Sequence, residues 1–288
     1  MEVQEVLERS GGIADRRSLL RACTRAELAA ALAQGRIVRI ARNRYAAPTL
    51  DEARAAAARL SGAVSHLSAA LAHGWKVKWG PAKPSITVPR TRSGVDGAGV
   101  DLHWAVLTDA ECRARLTSPL RTVIDCARAL PFDEALSVAD SALRSGKVDA
   151  QELLSAAESA PRTGRRAALA VAQAADGLAA NPFESVLRAI ALDVRGLEVV
   201  PQGPVGPIGH ADLADAVLKV AVEAESFEFH ALPEAFRHDV RRYSAMTRLG
   251  WLVVRFVWED AMSRPAYVRA VLEDVVAVRA GQQAVRRA

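Results

Sequence analysis

Two neighbouring segments decide the reading: His210-Ala-Asp212-Leu213, and Leu218-Lys-Val-Ala-Val-Glu223-Ala-Glu225-Ser-Phe227. In the second, Leu218, Val220, Val222 and Ala224 alternate with Lys219, Ala221, Glu223 and Glu225. A period of two is that of a β-strand, so the first set faces a core and the second set shares the opposite face. Two carboxylates then lie about 7 Å apart, the i,i+2 spacing of a strand. At an effective dielectric of about 20 their repulsion is about 2 kcal/mol. Asp212, flanked by apolar Ala211 and Leu213, joins them if the two strands pair. Three acids on one patch need solvent, basic side chains or a divalent cation to offset them, and hard oxygen ligands suit Mg²⁺ or Mn²⁺. The plainer readings are a solvent-facing strand for Glu223 and Glu225, and a turn or strand-end residue for Asp212.

The flanking sequence supplies the rest of a small domain over 177–288. Asn181-Pro182-Phe183-Glu184 opens a helix with an N-cap asparagine, proline at the first position and glutamate at the third. Glu184 serves there either as a capping group or as a further acid of the patch. Strands follow at 197–202 and near 210–213, then the acidic strand over 218–227. A helix over 237–249 stops at Gly250, followed by an apolar strand over 251–256 and a last helix over 266–278. The order α-β-β-β-α-β-α predicts a mixed sheet flanked by helices.

Asp212 and, after ten intervening residues that end in Val222, Glu223-Ala-Glu225 resemble the signature of PD-(D/E)XK nucleases. His230, the run Arg237-His-Asp239 with Arg241-Arg242, and Leu249-Gly-Trp-Leu-Val-Val-Arg255-Phe resemble the very-short-patch-repair-like branch of that group. The resemblance implies a restriction-endonuclease-like fold, with Asp212 and Glu223 as ligands of Mg²⁺ or Mn²⁺. It places Glu225, also an oxygen ligand, at the position of the usual lysine, and makes Glu184 the acid of the leading helix. By the same resemblance, Glu184, Asp212, Glu223 and Glu225 form the catalytic set; Arg242 is a candidate phosphate contact, His230 either such a contact or a surface group, and Arg255 either pairs with a nearby acid or faces DNA. Ser226 replaces the glycine often found after the acidic pair. The whole layout resembles actinobacterial proteins in which an AbiEi-type antitoxin winged helix precedes a nuclease-like domain, which implies DNA, and a cognate toxin, as partners.

Residues 1–48 fit that layout on their own terms. Val3, Val6 and Leu7 mark one helix and Leu19-Leu20 a second, while Thr24-Arg-Ala-Glu27 reads as a capping box opening a third. Alternation from Ile37 to Tyr45, with a turn at Asn43, predicts a hairpin. Three helices and a hairpin follow the order of a winged helix-turn-helix. Arg36, Arg39, Arg42 and Arg44 fall within nine residues that contain no acid. On a wing they meet phosphates, and Arg25 opens the helix that would reach base edges. The alternative is a solvated basic hairpin in a module for protein contacts.

Residues 49–176 read as a mixed α/β middle region. A second capping-box pattern, Thr49-Leu-Asp-Glu52, leads into an alanine-rich helix, and a further helix spans 65–73. Strands at 85–89 and 100–104 flank a glycine-rich loop, and helices follow at 120–130, 133–145 and 150–159. A basic loop at 161–166 leads to a linking helix. Trp75, Trp79 and Trp104 either stack bases or pack in a core, and their position beside strands favours the core. Ser65-His66 with Asp125 makes a hydrolase triad only on paper, since no G-x-S-x-G elbow accompanies it.

The bulk properties agree with a folded α+β or α/β multidomain chain: 50% hydrophobic and 25% charged residues in 288. A net charge of +5 favours an anionic partner weakly. Cys23, Cys112 and Cys126 form no CxxC pair, and are expected to be reduced and buried. No apolar run reaches the ~18 residues of a membrane span. The acidic N-terminus does not resemble a signal peptide, and a cytoplasmic location is expected.

Overall fold

The computed structural model describes residues 3–10, 13–41, 43–225 and 233–287. The chain divides into two compact units, Met1–Gly177 and Leu178–Ala288. Both mix helices with small sheets.

The first unit begins with α1 (Val3–Arg9), β1 (Ile13–Asp15), α2 (Arg16–Ala22), α3 (Arg25–Ala33), β2 (Val38–Ala41) and β3 (Arg44–Ala46). The Thr24–Glu27 capping box forms as read: Thr24 N donates to Glu27 Oε2 at 2.7 Å, and Glu27 N to Thr24 Oγ1 at 3.2 Å. Val3, Val6, Leu7, Leu19, Leu28 and Ile37 close over one another as a core. The hairpin gains a strand that the sequence reading did not contain, since β1 pairs antiparallel with β3 to give the order β1-β3-β2.

Next come α4 (Thr49–Arg59), β4 (Ala63–Val64), α5 (His66–Ala72), β5 (Ser85–Pro89), β6 (Asp101–Ala105) and α6 (Asp109–Ala114). They are followed by α7 (Pro119–Ala129), α8 (Phe132–Arg144), α9 (Ala150–Glu158) and α10 (Arg165–Ala174). Thr49 does not cap α4. The N-cap is Pro48, which makes no side-chain cap bond. The glycine-rich loop joins β5 to β6 as parallel neighbours, with β4 on the other side of β5. The helix read as a linker, α10, is part of the core: Ala168 and Val171 pack with Val123, Ala127, Ala139 and Leu153. Trp75 is buried in that core, whereas Trp104 is 52% exposed. Of the cysteines only Cys126 is buried; Cys23 is half-buried and Cys112 exposed.

The second unit runs α11 (Pro182–Leu192), β7 (Val200–Pro204), a 3-10 turn at Gly206–Ile208, β8 (His210–Asp215), β9 (Val220–Glu225), α12 (Pro233–Arg248), β10 (Leu252–Val257), α13 (Trp258–Ser263) and α14 (Pro265–Arg287). The four strands lie in the order β10-β9-β8-β7; β7, β8 and β9 are antiparallel and β10 joins β9 in parallel. The acidic strand starts at Val220 rather than Leu218, because residues 216–219 form the β8–β9 turn. Asp215 fastens that turn by accepting from Val217 N and Leu218 N at 2.9 and 2.8 Å. The face that carries the acids is partly covered, unlike that of a strand facing solvent. Ala214 and Ala221 pack with Met246 of α12 and with Trp251.

Candidate active site

Strand register assembles the site. In β7–β8 the pairs Pro201↔Leu213 and Gly203↔Ala211 leave Gln202 opposite Asp212. In β8–β9 the ladder runs from Asp215↔Val220 to Leu213↔Val222; just past its end Asp212 accepts from Ala224 N, close enough to Glu223 for its charge to act on it. In β9–β10 Glu223 faces Arg255. One row therefore crosses all four strands: Gln202, Asp212, Glu223, Arg255. Directly opposed residues share a face, so register supplies the first and last links of the row, and the Asp212–Ala224 bond the middle one.

Gln202 links the first strand to the leading helix. Its Nε2 lies 3.4 Å from both Asp212 Oδ1 and Glu184 Oε2, donating one hydrogen toward each. Its backbone sits at φ +49°, in the left-handed region that side chains other than glycine rarely adopt. The neighbouring Gly203 allows the close approach, since a Cβ there would stand 2.5 Å from that of Ala214.

Glu184 caps its helix and also lies within reach of Gln202. Its carboxylate accepts from Ala180 N at 2.7 Å and Asn181 Nδ2 at 2.8 Å, while Asn181 Oδ1 receives Glu184 N at 3.1 Å. It closes the start of α11 and, through Gln202, is joined to Asp212.

Asp212 Oδ2 accepts from Ala224 N at 2.8 Å. Burial pushes its carboxyl above the usual range, against the lowering pull of that bond and of the Arg242 charge. Glu223 is only 5% exposed. Its pKa is raised to about 7, first by burial and then by the charge of Asp212. Arg242 Nη2 stands 2.9 Å from Glu223 Oε1. That guanidinium nitrogen, which carries two hydrogens, also donates to the carbonyl of His210, and the bond to Arg242 pulls the Glu223 pKa down against its burial.

Glu225 is engaged differently. Its Oε1 accepts from the Tyr243 hydroxyl and, at 2.6 Å, from Arg255 Nε. The Arg255 guanidinium lies 4.3 Å from the centre of the Tyr243 ring. Burial and the hydrogen bond to Glu225 raise the Tyr243 pKa, so the phenol stays protonated as a donor.

Asp212, Glu223 and Glu225 thus share one strand neighbourhood, with Arg242 and Tyr243 of α12 and Arg255 of β10 between and above them. Among the described residues no group of three or more carboxylates, imidazoles or thiols is gathered to hold a metal ion. His230 lies outside the described residues. In the first unit Arg25 is exposed at the start of α3, and Arg39 is exposed on β2. Arg36 donates to Gln34 Oε1 at 2.8 Å. Arg44 lies on β3, its side chain outside the description, and Arg42 lies outside the described residues. His66 Nδ1 is 3.0 Å from the Ser65 hydroxyl, but Ser65 is wholly buried and His66 is stacked on His103. That geometry gives no nucleophile open to a substrate.

Sequence reasoning missed Gln202 and Tyr243. The signal for Gln202 was a polar residue between Pro201 and Gly203 inside an otherwise apolar strand pattern. Tyr243 stands beside Arg242 and gave no separate signal.

No family model matches the chain. Two curated relatives from Mycobacterium tuberculosis, described as uncharacterized protein MT2308 (strain CDC 1551 / Oshkosh) and uncharacterized protein Rv2248 (strain ATCC 25618 / H37Rv), are each 30% identical over 159 residues. The match covers 54% of this chain and 59% of each relative, less than two thirds of their length. The crystal structure of RV2827C protein from Mycobacterium tuberculosis aligns with a TM-score of 0.31 at 15% identity, over 69% of this chain and 82% of that one. Such a likeness is too distant to carry an argument about fold or function.

Proposed function

We propose that this chain is a DNA-binding protein whose second unit is a restriction-endonuclease-like, divalent-metal-dependent phosphodiesterase core. The observation that carries this reading is the closeness of Asp212 and Glu223 on adjacent strands, with Glu223 buried beside the Arg242 guanidinium. Mg²⁺ characteristically uses one or two protein carboxylates and takes its remaining ligands from water and substrate phosphate. Asp212 and Glu223 meet that requirement. A bound divalent ion would lower the pKa of a water and offset charge on the phosphate. Gln202 holds Asp212 in place and ties it to Glu184. Arg242 and Arg255 bring positive charge to where a phosphate would lie. In this reading the N-terminal helices and hairpin act as a winged helix-turn-helix, with Arg25, Arg36, Arg39, Arg42 and Arg44 toward DNA.

Incubation with supercoiled plasmid tests the reaction. Nicking is expected with Mg²⁺ or Mn²⁺, and loss of it in Glu223→Ala. Mn²⁺ is also expected to raise the Tm of the wild type but not of Asp212→Asn. No nicking with either metal, and no Mn²⁺-dependent shift, would overturn the reading.

A second reading has one observation in its favour: Glu225, at the position of the usual lysine, is held by Tyr243 and Arg255. In it the unit is an inactive binding module of an antitoxin-like transcriptional regulator, with a toxin as protein partner. It predicts a mobility shift on its own promoter that Arg39→Ala weakens and Glu223→Ala leaves intact. Equal binding to random DNA would sink it.

A further inference from the structure

The first unit contains a cleft of about 870 Å³ that the reading above does not use. Its volume falls in the range of roughly 300–1,000 Å³ typical of small-molecule sites. Trp104, Val106, Leu120, Ile124 and Pro161 give it apolar surface, and Arg90, Arg121, Arg128 and Arg162 line it with positive charge. Trp104 and Val106 are 52% and 73% exposed. Large apolar side chains left open beside a cleft mark binding surface.

The cleft is built from fixed parts. Arg121 of α7 donates to the Val106 carbonyl at 2.6 Å and to Asp125 Oδ2 at 3.2 Å, which ties the end of β6 to the helix. Arg128 of the same helix grips the Thr163 carbonyl with Nε and Nη2 at 3.0 and 2.9 Å, and its Nη1 lies 4.0 Å from Asp125. Gly164 makes this approach possible, because a Cβ there would lie 2.8 Å from that of Arg128. Two arginines therefore hold the two walls to α7, with Asp125 between them. The Trp104 indole is pinned as well, its Nε1 donating to the Arg92 carbonyl at 3.2 Å while the ring stays open.

Arg90, beside Trp104, and Arg162, on the opposite loop, are exposed and make no side-chain hydrogen bond or ion pair among the described residues. A pinned indole and two uncommitted guanidinium groups lining one cleft suit a ligand with a flat ring and a phosphate. Stacking on an aromatic side chain combined with backbone neutralisation is how unpaired bases are held. We propose that this cleft binds an unpaired nucleotide, its base stacked on Trp104 and its phosphate between Arg90 and Arg162. The ligand can be a free nucleotide or one nucleotide of a single strand. The proposal does not depend on the second unit being a nuclease.

Fluorescence anisotropy of the full chain with labelled single-stranded hexamers of dA and dT tests it. Saturable binding that weakens with salt is expected. Trp104→Ala should weaken it by about tenfold or more, while Trp104→Phe stays within about threefold, since base stacking tolerates any aromatic face. Arg90→Ala with Arg162→Ala should weaken it about tenfold and flatten the salt dependence. Competition separates the sources: full displacement by dAMP supports a free nucleotide, and displacement only by unlabelled strand supports a nucleic acid. Wild-type affinity in Trp104→Ala and in the double arginine variant, both shown folded by circular dichroism, would overturn the proposal. Equal displacement by an oligoglutamate peptide would also overturn it, in favour of an acidic protein segment. Plasmid nicking, read separately, reports on the second unit alone.

Discussion

The two charged regions of this molecule are built on opposite plans. Glu223 is buried and Asp212 and Glu225 half-buried, with their oxygens mostly tied to donors, Gln202, Ala224, Tyr243 and Arg255 among them. In the cleft of the first unit, Arg121 and Arg128 are spent on holding the walls, while Arg90 and Arg162 remain exposed. Buried, mutually coupled acids respond to protons because the surrounding dielectric is low. Exposed cations respond to salt because ions screen them. The difference teaches that pH should govern the second unit and ionic strength the first.

The largest test of that contrast is catalytic. Glu223→Ala should lower the nicking rate by about 100-fold or more, the scale of losing a group that handles protons or charge at a reacting centre. Trp104→Ala should leave nicking of duplex plasmid within about twofold, below the scale of a lost catalytic group. Equal losses in both variants would erase the distinction between the regions.

A smaller effect lies in stability. Glu223 titrates near 7 when folded and in the ordinary carboxylate range when unfolded, so the folded state holds its proton longer. Between about pH 4.5 and 7 the unfolded state has fewer bound protons, and stability must fall as pH rises. Glu223→Gln removes this slope. Relative to wild type, the variant should gain about 1–3 kcal/mol between pH 5 and pH 8, measured by urea unfolding. Parallel curves would show that Glu223 is not strained by its burial.

The smallest concerns Gln202. Its left-handed backbone favours glycine, while its amide joins Glu184 to Asp212. Gln202→Ala should cost about 1 kcal/mol or more, losing the bonds and keeping the backbone strain. Gln202→Gly should be more stable than Gln202→Ala, with nicking equally impaired in both. The reverse order of stability would show that the backbone at 202 carries no strain.

How much of this was legible in the sequence depended on whether the signal was local. The parity of Glu223 and Glu225 could be read because a strand repeats every two residues, and the meeting with Asp212 followed once β8 and β9 were assumed to pair. Gln202 could not be read, because its role arises from register across two strands and from an unusual backbone angle. Capping shows the same limit within one motif. Thr24 to Glu27 forms a capping box; Thr108 to Glu111 forms another that the sequence reading did not contain; at Thr49 to Glu52 the N-cap position falls one residue earlier, on Pro48. Trp104 misled for a related reason. Alternation marks a strand, but only the sheet order β4-β5-β6 reveals that β6 is a border strand with one side uncovered.

The strand that carries Gln202 has a further property. β7 is the border of its own sheet, and two of its five residues, Pro201 and Pro204, have no amide hydrogen to donate. At Gln202 between them the backbone leaves the extended conformation. A foreign strand arriving at this margin would find an interrupted ladder of partners, which is how soluble sheets discourage intermolecular β-pairing and aggregation. The features that set the glutamine between two acids therefore also guard the row against being covered by another chain.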